Sequence, residues 1–319
     1  MSLSRPFIFE KFLPMFAPLT PQTLDPAIAE MQKRWKESGI PDLYEGRDGP
    51  VSRERARNVR CVFYPKPVLP HGTIENTTIA GPGGPIPVRI IRPVEGPLTG
   101  TLVFFHGGGF ILGDLDSHEA HAIRLANRAG VVVVHVDYRL APEHIFPAAV
   151  DDAEASVAWA HAHLAALGGA DKPLAVAGDS AGGNFAAVTA LYARDAGIPL
   201  AAQLLLYPAT DLSRLNGIPE QCYLGDKIAT AALDPRASPI KAASLAGVAP
   251  AIIGVGVHDF LYKDNMAYAN ALQAAGVPVL LRQYADLNHG FFSFCAISKS
   301  SEAASNQLSD DLRQQLLTA

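Results

Sequence analysis

Ser180 is the residue whose sequence surroundings point most directly to covalent chemistry. It lies in Gly178-Asp179-Ser180-Ala181-Gly182, after a short apolar run and before an alanine-rich helical pattern. A strand, a tight turn and a helix in that order form a nucleophile elbow, and glycines two residues before and after the serine let strand and helix pass closely. The same pentapeptide also occurs by chance in glycine-rich loops, so Ser180 needs chemical partners elsewhere in the chain.

A candidate acid and a candidate base follow Ser180 along the chain. Asp259 comes just after the apolar run 252–257, and His289 comes shortly after the run 279–283. Acyl transfer through serine needs a base that removes the hydroxyl proton and an acid that orients that base. An aspartate after a strand is more often a helix cap, and a lone histidine is more often structural. Together with the elbow, however, they stand in the chain order Ser, Asp, His that is typical of α/β-hydrolases.

A glycine-rich stretch supplies candidate donors for an oxyanion hole. The apolar run that ends at Phe105 continues as His106-Gly107-Gly108-Gly109. Successive glycines let the backbone approach a substrate with its amides pointing inward, as in the His-Gly-Gly-Gly loop of lipases and esterases. A phosphate-binding loop is the alternative, but neither Gly-x-Gly-x-x-Gly nor a final Lys-Ser/Thr pair is present.

The elements that must position these residues follow an alternating pattern. Segments 73–79 and 87–92, separated by glycines and a proline, predict an antiparallel hairpin. Beyond them apolar runs alternate with helical patterns. Strands are predicted at 101–105, 131–136, 174–177, 203–207, 252–257 and 279–283, and helices at 117–128, 148–167, 181–196 and 263–275. Continuous Val/Ile/Leu strands between helices predict an α/β fold with a mostly parallel central sheet and helices on both faces.

Two intervals depart from this alternation and are candidates for a cap over the site. Residues 1–60 include an amphipathic helix that begins at Asp25-Pro26, and residues 208–250 lack a strong strand. A long excursion of this kind in a compact α/β domain is often a lid. We therefore predict four segments: 1–60 as the N-terminal part of the cap, 61–207 as catalytic core, 208–250 as a short cap insertion, and 251–319 as the rest of the core.

Side-chain patterns within residues 1–60 leave two interpretations open. An aromatic-rich stripe either covers a pocket or docks on the core; its members are Phe7, Ile8, Phe12, Leu13 and Phe16. The stretch 53–60 carries four arginines and a glutamate. A solvated helix face is a commoner origin of such a charge run than a binding patch.

Composition and charge argue against several other kinds of protein and several kinds of partner. The formal net charge is -5, which gives no basic field, so we expect no nucleic-acid partner. Cys61, Cys222 and Cys295 have no short spacing and predict free thiols in a reducing compartment. His118 and His121 lack the spacing and the third ligand of a zincin site, and we expect no metal or cofactor. No signal-peptide core or spanning run is found, which predicts a cytoplasmic protein without stable membrane association.

Taken together, the motifs resemble the hormone-sensitive lipase family of bacterial carboxylesterases, known as family IV. The likeness covers most of the chain from about residue 73 onward and rests on 106–109, 137–144, 178–183, Tyr207-Pro208, Asp259 and 289–291. The resemblance implies an α/β-hydrolase fold with a helical cap and a triad of Ser180, Asp259 and His289. It also implies an oxyanion hole formed by the amides of Gly108, Gly109 and Ala181. A homodimer through the last strand and terminal helix is frequent in this family.

The sequence departs from the family pattern at two places. The family usually continues from its catalytic aspartate as Asp-Pro-Leu-x-Asp, whereas Phe260 follows Asp259 here and the later carboxylate, Asp264, lies one residue further on. The family's Tyr-Ala pair is kept as Tyr268-Ala269, so we predict Asp259 as the acid and Asp264 as a helix-start charge. The 208–250 interval is shorter than the family's insertion, which predicts a more open and wetter pocket.

Some polar residues within these motifs have roles outside the triad. Asp179 beside the nucleophile either tunes the site or makes a structural contact. The resemblance implies that Tyr138, Arg139 and Glu143 form a polar scaffold that stiffens the glycine loop.

The sequence therefore predicts a serine carboxylesterase that hydrolyses short- to medium-chain acyl esters through an acyl-enzyme, with a small ester as its partner. The same triad acting as an amidase, lactonase or acyltransferase stays open. A non-catalytic ligand receptor on this fold, as the plant gibberellin receptors are, is disfavoured because those proteins lack the family's histidine and His289 is present.

Overall fold

The computed structural model describes residues 16–167 and 169–319. In this part of the chain eight strands form a single sheet. Their bounds are β1 Ile74–Gly81, β2 Gly84–Ile91, β3 Gly100–Phe105, β4 Val131–Val136, β5 Leu174–Asp179, β6 Ala202–Leu206, β7 Ala251–Gly256 and β8 Val279–Tyr284. Each predicted strand is present, with ends shifted by a few residues.

The sheet has the order β1-β2-β4-β3-β5-β6-β7-β8. The hairpin β1–β2 and the pair β2–β4 are antiparallel, and every other neighbouring pair is parallel. The predicted mostly parallel sheet is confirmed. Because β5, β7 and β8 run in the same direction, their carboxyl ends meet at one edge, where ligands bind in open α/β sheets.

Helices cover both faces of the sheet. Their bounds are α1 Pro26–Glu37, α2 Gly49–Phe63, α3 Glu119–Leu125, α4 Ala148–Ala162, α5 Ala181–Asp195, α6 Ile218–Leu224, α7 Ile228–Ala231, α8 Tyr262–Ala274 and α9 Lys299–Leu317. The pattern at 117–128 predicts one helix, but α3 ends at Leu125 and a π-helical turn, Ala126–Gly130, leads into β4. No helix within 16–167 or 169–319 combines the length and apolarity required to traverse a bilayer.

Alternation along β3 shows how the sheet is buried on both sides. Val103 and Phe105 belong to the apolar cluster on one face, which includes side chains of α4, α5 and α8, whereas Leu102 and Phe104 belong to the cluster on the other face, which includes side chains of α3 and α9. All four side chains are fully buried. Burying apolar side chains on both faces is a large favourable contribution to folding, and here it makes a rigid platform for the strand ends.

The N-terminal helices are joined to the core by specific contacts. Asp25 accepts hydrogen bonds from the N–H groups of Ala27 and Ile28, so the predicted start of α1 is correct. In α2, Arg53 pairs with Glu143 and Arg60 donates to the carbonyl of Ser117 at 2.6 Å. The charge-dense stretch is therefore only partly a solvated face, because two of its arginines dock the helix to the core.

The aromatic stripe can be followed at one position. Phe16 packs against the core, and its N–H donates to Asn270 Oδ1 at 3.0 Å. The rest of the stripe, from Phe7 to Leu13, lies outside the described residues. For Phe16 the contact matches docking on the core.

Candidate active site

Ser180 lies in the turn between β5 and α5 with a φ of +55°, a conformation that side-chain-bearing residues rarely adopt. A Cβ at Gly178 would lie 2.2 Å from the carbonyl oxygen of Gly182, and one at Gly182 would lie 2.0 Å from that of Phe105. Both glycines are therefore required by close backbone contacts, as the elbow pattern predicts. The turn projects Ser180 at the carboxyl edge of the sheet.

Three side chains from distant parts of the chain meet in a hydrogen-bonded line at this edge. The Oγ atom of Ser180 lies 2.8 Å from Nε2 of His289. Nδ1 of His289 lies 3.0 and 2.9 Å from the two carboxylate oxygens of Asp259. Because a carboxylate only accepts, Nδ1 must carry the proton, which leaves the Nε2 lone pair facing the serine hydroxyl.

The two loops that carry Asp259 and His289 are tied to each other. The N–H of His258 donates to the carbonyl of Leu287 at 3.0 Å, and the N–H of Leu261 donates to Asp259 Oδ1 at 2.7 Å. The Asp259 side chain is fully buried. Asp264, the other carboxylate near this loop, lies on the first turn of α8, 3.2 Å from Nε of Arg214. The structure thus brings Asp259 to His289 and places Asp264 with an arginine.

The glycine loop beside Ser180 is fastened at several points. The N–H of Gly107 donates to Asp179 Oδ1 at 2.9 Å, and the N–H of Leu112 donates to the carbonyl of Gly108 at 2.9 Å. The hydroxyl of Tyr138 donates to the carbonyl of His106 at 2.6 Å. Within the described residues, the N–H groups of Gly108 and Gly109 have no acceptor. They are the kind of free, preorganised donors that an oxyanion hole requires.

Asp179 makes a structural contact, which is one of the two roles that the sequence allows for it. Its Oδ1 holds Gly107, and its Oδ2 lies 3.5 Å from Nε2 of His118. The His118 ring stacks on His106 at 5.3 Å and lies 4.8 Å from the ring of His121. Burial lowers the pKa of all three histidines, so they are neutral packing groups behind the loop.

Two aromatic rings flank the imidazole of His289. The Tyr207 ring is fully buried, with its centroid 5.0 Å from that of the imidazole. The Phe260 ring lies 4.6 Å away at an interplanar angle of 47°, and the residue is 70% exposed. Sequence reasoning noted Phe260 only as a departure from a motif and Tyr207 only as part of one. Neither contact has a local sequence signal.

The two predicted parts of the cap approach each other above Gly109. A Cβ at Gly109 would lie 2.7 Å from the hydroxyl of Tyr44 and 3.1 Å from Cβ of Pro219. Arg47 also donates a hydrogen bond to Gln221 on α6. Burial raises the pKa of Tyr44, so its hydroxyl stays protonated. Segment 44–47 and α6 therefore lie together over the glycine loop.

Known proteins that are similar to this chain have the same fold and are ester hydrolases. A family model described as the alpha/beta hydrolase fold matches residues 102–293. The chain belongs to this family. The α/β-hydrolase is 40% identical over 317 residues to carboxylic ester hydrolase LipN of Mycobacterium tuberculosis, covering 92% of this chain and 84% of LipN. It is 34% identical over 255 residues to ethyl acetate hydrolase of Pseudomonas putida, covering 73% of this chain and 80% of that protein.

A solved structure extends the likeness to nearly the whole α/β-hydrolase. The hyperthermophilic esterase from the archaeon Pyrobaculum calidifontis is 34% identical and superimposes with a TM-score of 0.80. The match covers 93% of this chain and 100% of that one. The resemblance to the hormone-sensitive lipase family is confirmed.

Proposed function

We propose that this α/β-hydrolase cleaves short- to medium-chain acyl esters through an acyl-enzyme formed on Ser180. That the chain is a carboxylic ester hydrolase follows from its relatives, LipN among them. The observation that carries the finer proposal is the hydrogen-bonded line from the buried Asp259 carboxylate through His289 to the Ser180 hydroxyl. This is the arrangement that activates a serine for attack on a carbonyl carbon.

In the proposed reaction, Nε2 of His289 takes the hydroxyl proton as Ser180 Oγ attacks the ester carbonyl. The amides of Gly108, Gly109 and Ala181 stabilise the negative charge that develops on the carbonyl oxygen. The imidazolium then gives its proton to the leaving alcohol oxygen, and the acyl group stays on Ser180. Water repeats the sequence and releases the acid. Asp259 holds the tautomer of His289 and stabilises its charged form throughout.

The short cap supports the preference for small acyl groups. Segments 1–60 and 208–250 are proposed as the two parts of the cap, and segments 61–207 and 251–319 as the catalytic core. The described part of 208–250 contains the short helices α6 and α7 joined by turns. The 208–250 part of the cap, with helices of seven and four residues, adds little apolar length for a long acyl chain. The similarity to an ethyl acetate hydrolase points the same way.

Substitution of Ser180 tests the proposal. Ser180→Ala is expected to lower kcat on p-nitrophenyl butyrate by at least about 10³-fold, because nucleophile and proton acceptor act as one unit. Ser244→Ala, at an exposed loop serine, is the matched control and should keep wild-type activity. Retention of most activity by Ser180→Ala would refute the assignment.

A chain-length series tests the acyl preference. With p-nitrophenyl esters from acetate to palmitate, kcat/KM is expected to be highest at short to medium acyl chains. A maximum at palmitate would contradict this preference while leaving the triad in place.

Homodimerisation through β8 and α9 and a cytoplasmic location stay predictions. Light scattering of the purified protein tests the dimer.

A further inference from the structure

We propose that Phe260 binds the alcohol portion of the ester and makes the enzyme selective for apolar alcohols, both aromatic and alkyl. The inference rests on the proposed function, because it assigns the leaving-group side of the same site. It adds a substrate class that neither the triad nor the fold specifies.

The proton transfer itself locates the leaving group. Nε2 of His289 lies 2.8 Å from Ser180 Oγ and must deliver its proton to the leaving alcohol oxygen. That oxygen, and the carbon bonded to it, must therefore sit beside the imidazole. Side chains that border the imidazole toward solvent are then the first that the rest of the alcohol meets.

The two rings that border the imidazole differ in exposure. Tyr207 is fully buried beneath His289, so it can only support the imidazole. Phe260 is 70% exposed although its ring centroid lies 4.6 Å from that of the imidazole. A large apolar ring held in water beside a reacting group gains free energy when an apolar ligand covers it. Phe260 therefore offers an apolar surface where the alcohol departs.

The turn that presents Phe260 is fixed on both sides. Asp259 and Leu261 are buried, at 5% and 1% exposure, so the backbone at Phe260 has little freedom. His258 Nε2 is hydrogen-bonded to the carbonyl of Gln22 at 2.7 Å, and the N–H of Leu19 donates to the hydroxyl of Tyr262 at 2.8 Å. A contact surface on a rigid turn loses little entropy when a ligand binds. The proline that the family usually has at this position would present no aromatic ring.

The test varies the alcohol at a constant acetyl group. The substrates are methyl, hexyl, benzyl and 2-(2-methoxyethoxy)ethyl acetate, assayed with wild type and Phe260→Ala. We expect Phe260→Ala to lower kcat/KM about tenfold for the hexyl and benzyl esters, as loss of an apolar contact in a binding pocket does. For methyl acetate, whose alcohol is too short to reach the ring, and for the polar ether ester the change should stay below about twofold.

Two control variants and two further measurements distinguish binding of the alcohol by Phe260 from support of the His289 imidazole by Phe260. Phe260→Leu keeps an apolar side chain and should retain most of the preference for hexyl acetate. Leu317→Ala removes another exposed apolar side chain, 58% exposed at the end of α9, and should change no ratio. The pH profile of kcat/KM and the acyl-length preference should be the same in Phe260→Ala as in wild type.

The outcomes are distinct. A loss confined to the apolar alcohols supports the inference. An equal loss for all four acetates would mean that Phe260 only positions His289, and no loss for any would mean that the ring is idle; either result overturns the inference. If wild type hydrolysed none of the four esters, the proposed function itself would fail.

Discussion

The two sides of Ser180 are built by different means. On the side of the proposed oxyanion hole the parts are backbone amides of the glycine loop, which is held by contacts such as Gly107 to Asp179 and backed by buried histidines. On the side proposed for the leaving group the parts are side chains, and one of them, Phe260, is largely exposed. With the roles proposed above, the groups that stabilise charge are fixed by buried structure, whereas the group that meets the variable part of the substrate lies at the surface.

The largest effect is expected at Asp259, the buried carboxylate that is hydrogen-bonded to His289. Asp259→Asn should lower kcat by about 10⁴-fold with little change in KM, because an amide favours the wrong tautomer of His289. Asp264→Asn is the matched control, since Asp264 pairs with Arg214, and it should stay within about tenfold of wild type. A larger loss in Asp264→Asn than in Asp259→Asn would reverse the assignment of the acid.

On the side of the proposed oxyanion hole, Asp179 is expected to have the next largest effect. Asp179→Ala leaves the N–H of Gly107 without its acceptor and loosens the loop, so kcat should fall by about 10- to 100-fold, less than for loss of an oxyanion donor. Asp179→Asn keeps a carbonyl oxygen in place of Oδ1 and should retain most of the activity. Equal losses in the two variants would show that the charge of Asp179 matters more than its hydrogen bond.

The contact between Tyr44, in the proposed cap, and the glycine loop should give a smaller effect. Gly109→Ala places a methyl group against the Tyr44 hydroxyl at a residue with a φ of +59°, and kcat/KM should fall by about tenfold. The double variant Gly109→Ala/Tyr44→Ala removes the clash and should recover part of the loss. Steady-state kinetics of the four proteins in this cycle measure the coupling, and strict additivity would place Tyr44 away from the loop.

The smallest effect concerns the histidines behind the loop. Burial lowers the pKa of His118, His121 and His135, so each binds a proton on unfolding that it lacks when folded. Stability from these groups is then complete above about pH 6.5 and decreases as pH falls below it, by up to about 1.4 kcal/mol per pH unit for each histidine.

His121→Phe tests this sign. His121 stacks on Phe292 and faces His118, with Asp179, Arg60 and Arg124 as the neighbouring charges. The variant should show a shallower loss of melting temperature between pH 6.5 and 5 than wild type. An unchanged slope would mean that His121 is already charged in the folded protein.

Local sequence patterns predict the features of this molecule that depend on residues close together in the chain. The strands, the elbow glycines around Ser180 and the cap of α1 at Asp25 follow from apolar runs and turn chemistry, and the order Ser180, Asp259, His289 follows from strand ends. The docking of Arg53 on Glu143, the bond from Asp179 to Gly107 and the contact of Phe260 with His289 join residues 90, 72 and 29 positions apart. Such contacts depend on tertiary packing, which no local pattern records.

Active-site labelling followed by peptide mapping tests the central claim most directly. The wild-type α/β-hydrolase, treated with a fluorophosphonate, is expected to gain one adduct, located on Ser180. His289→Ala should label far more slowly because the hydroxyl loses its proton acceptor. An adduct on another residue, or labelling of Ser180→Ala at the wild-type rate, would contradict the account.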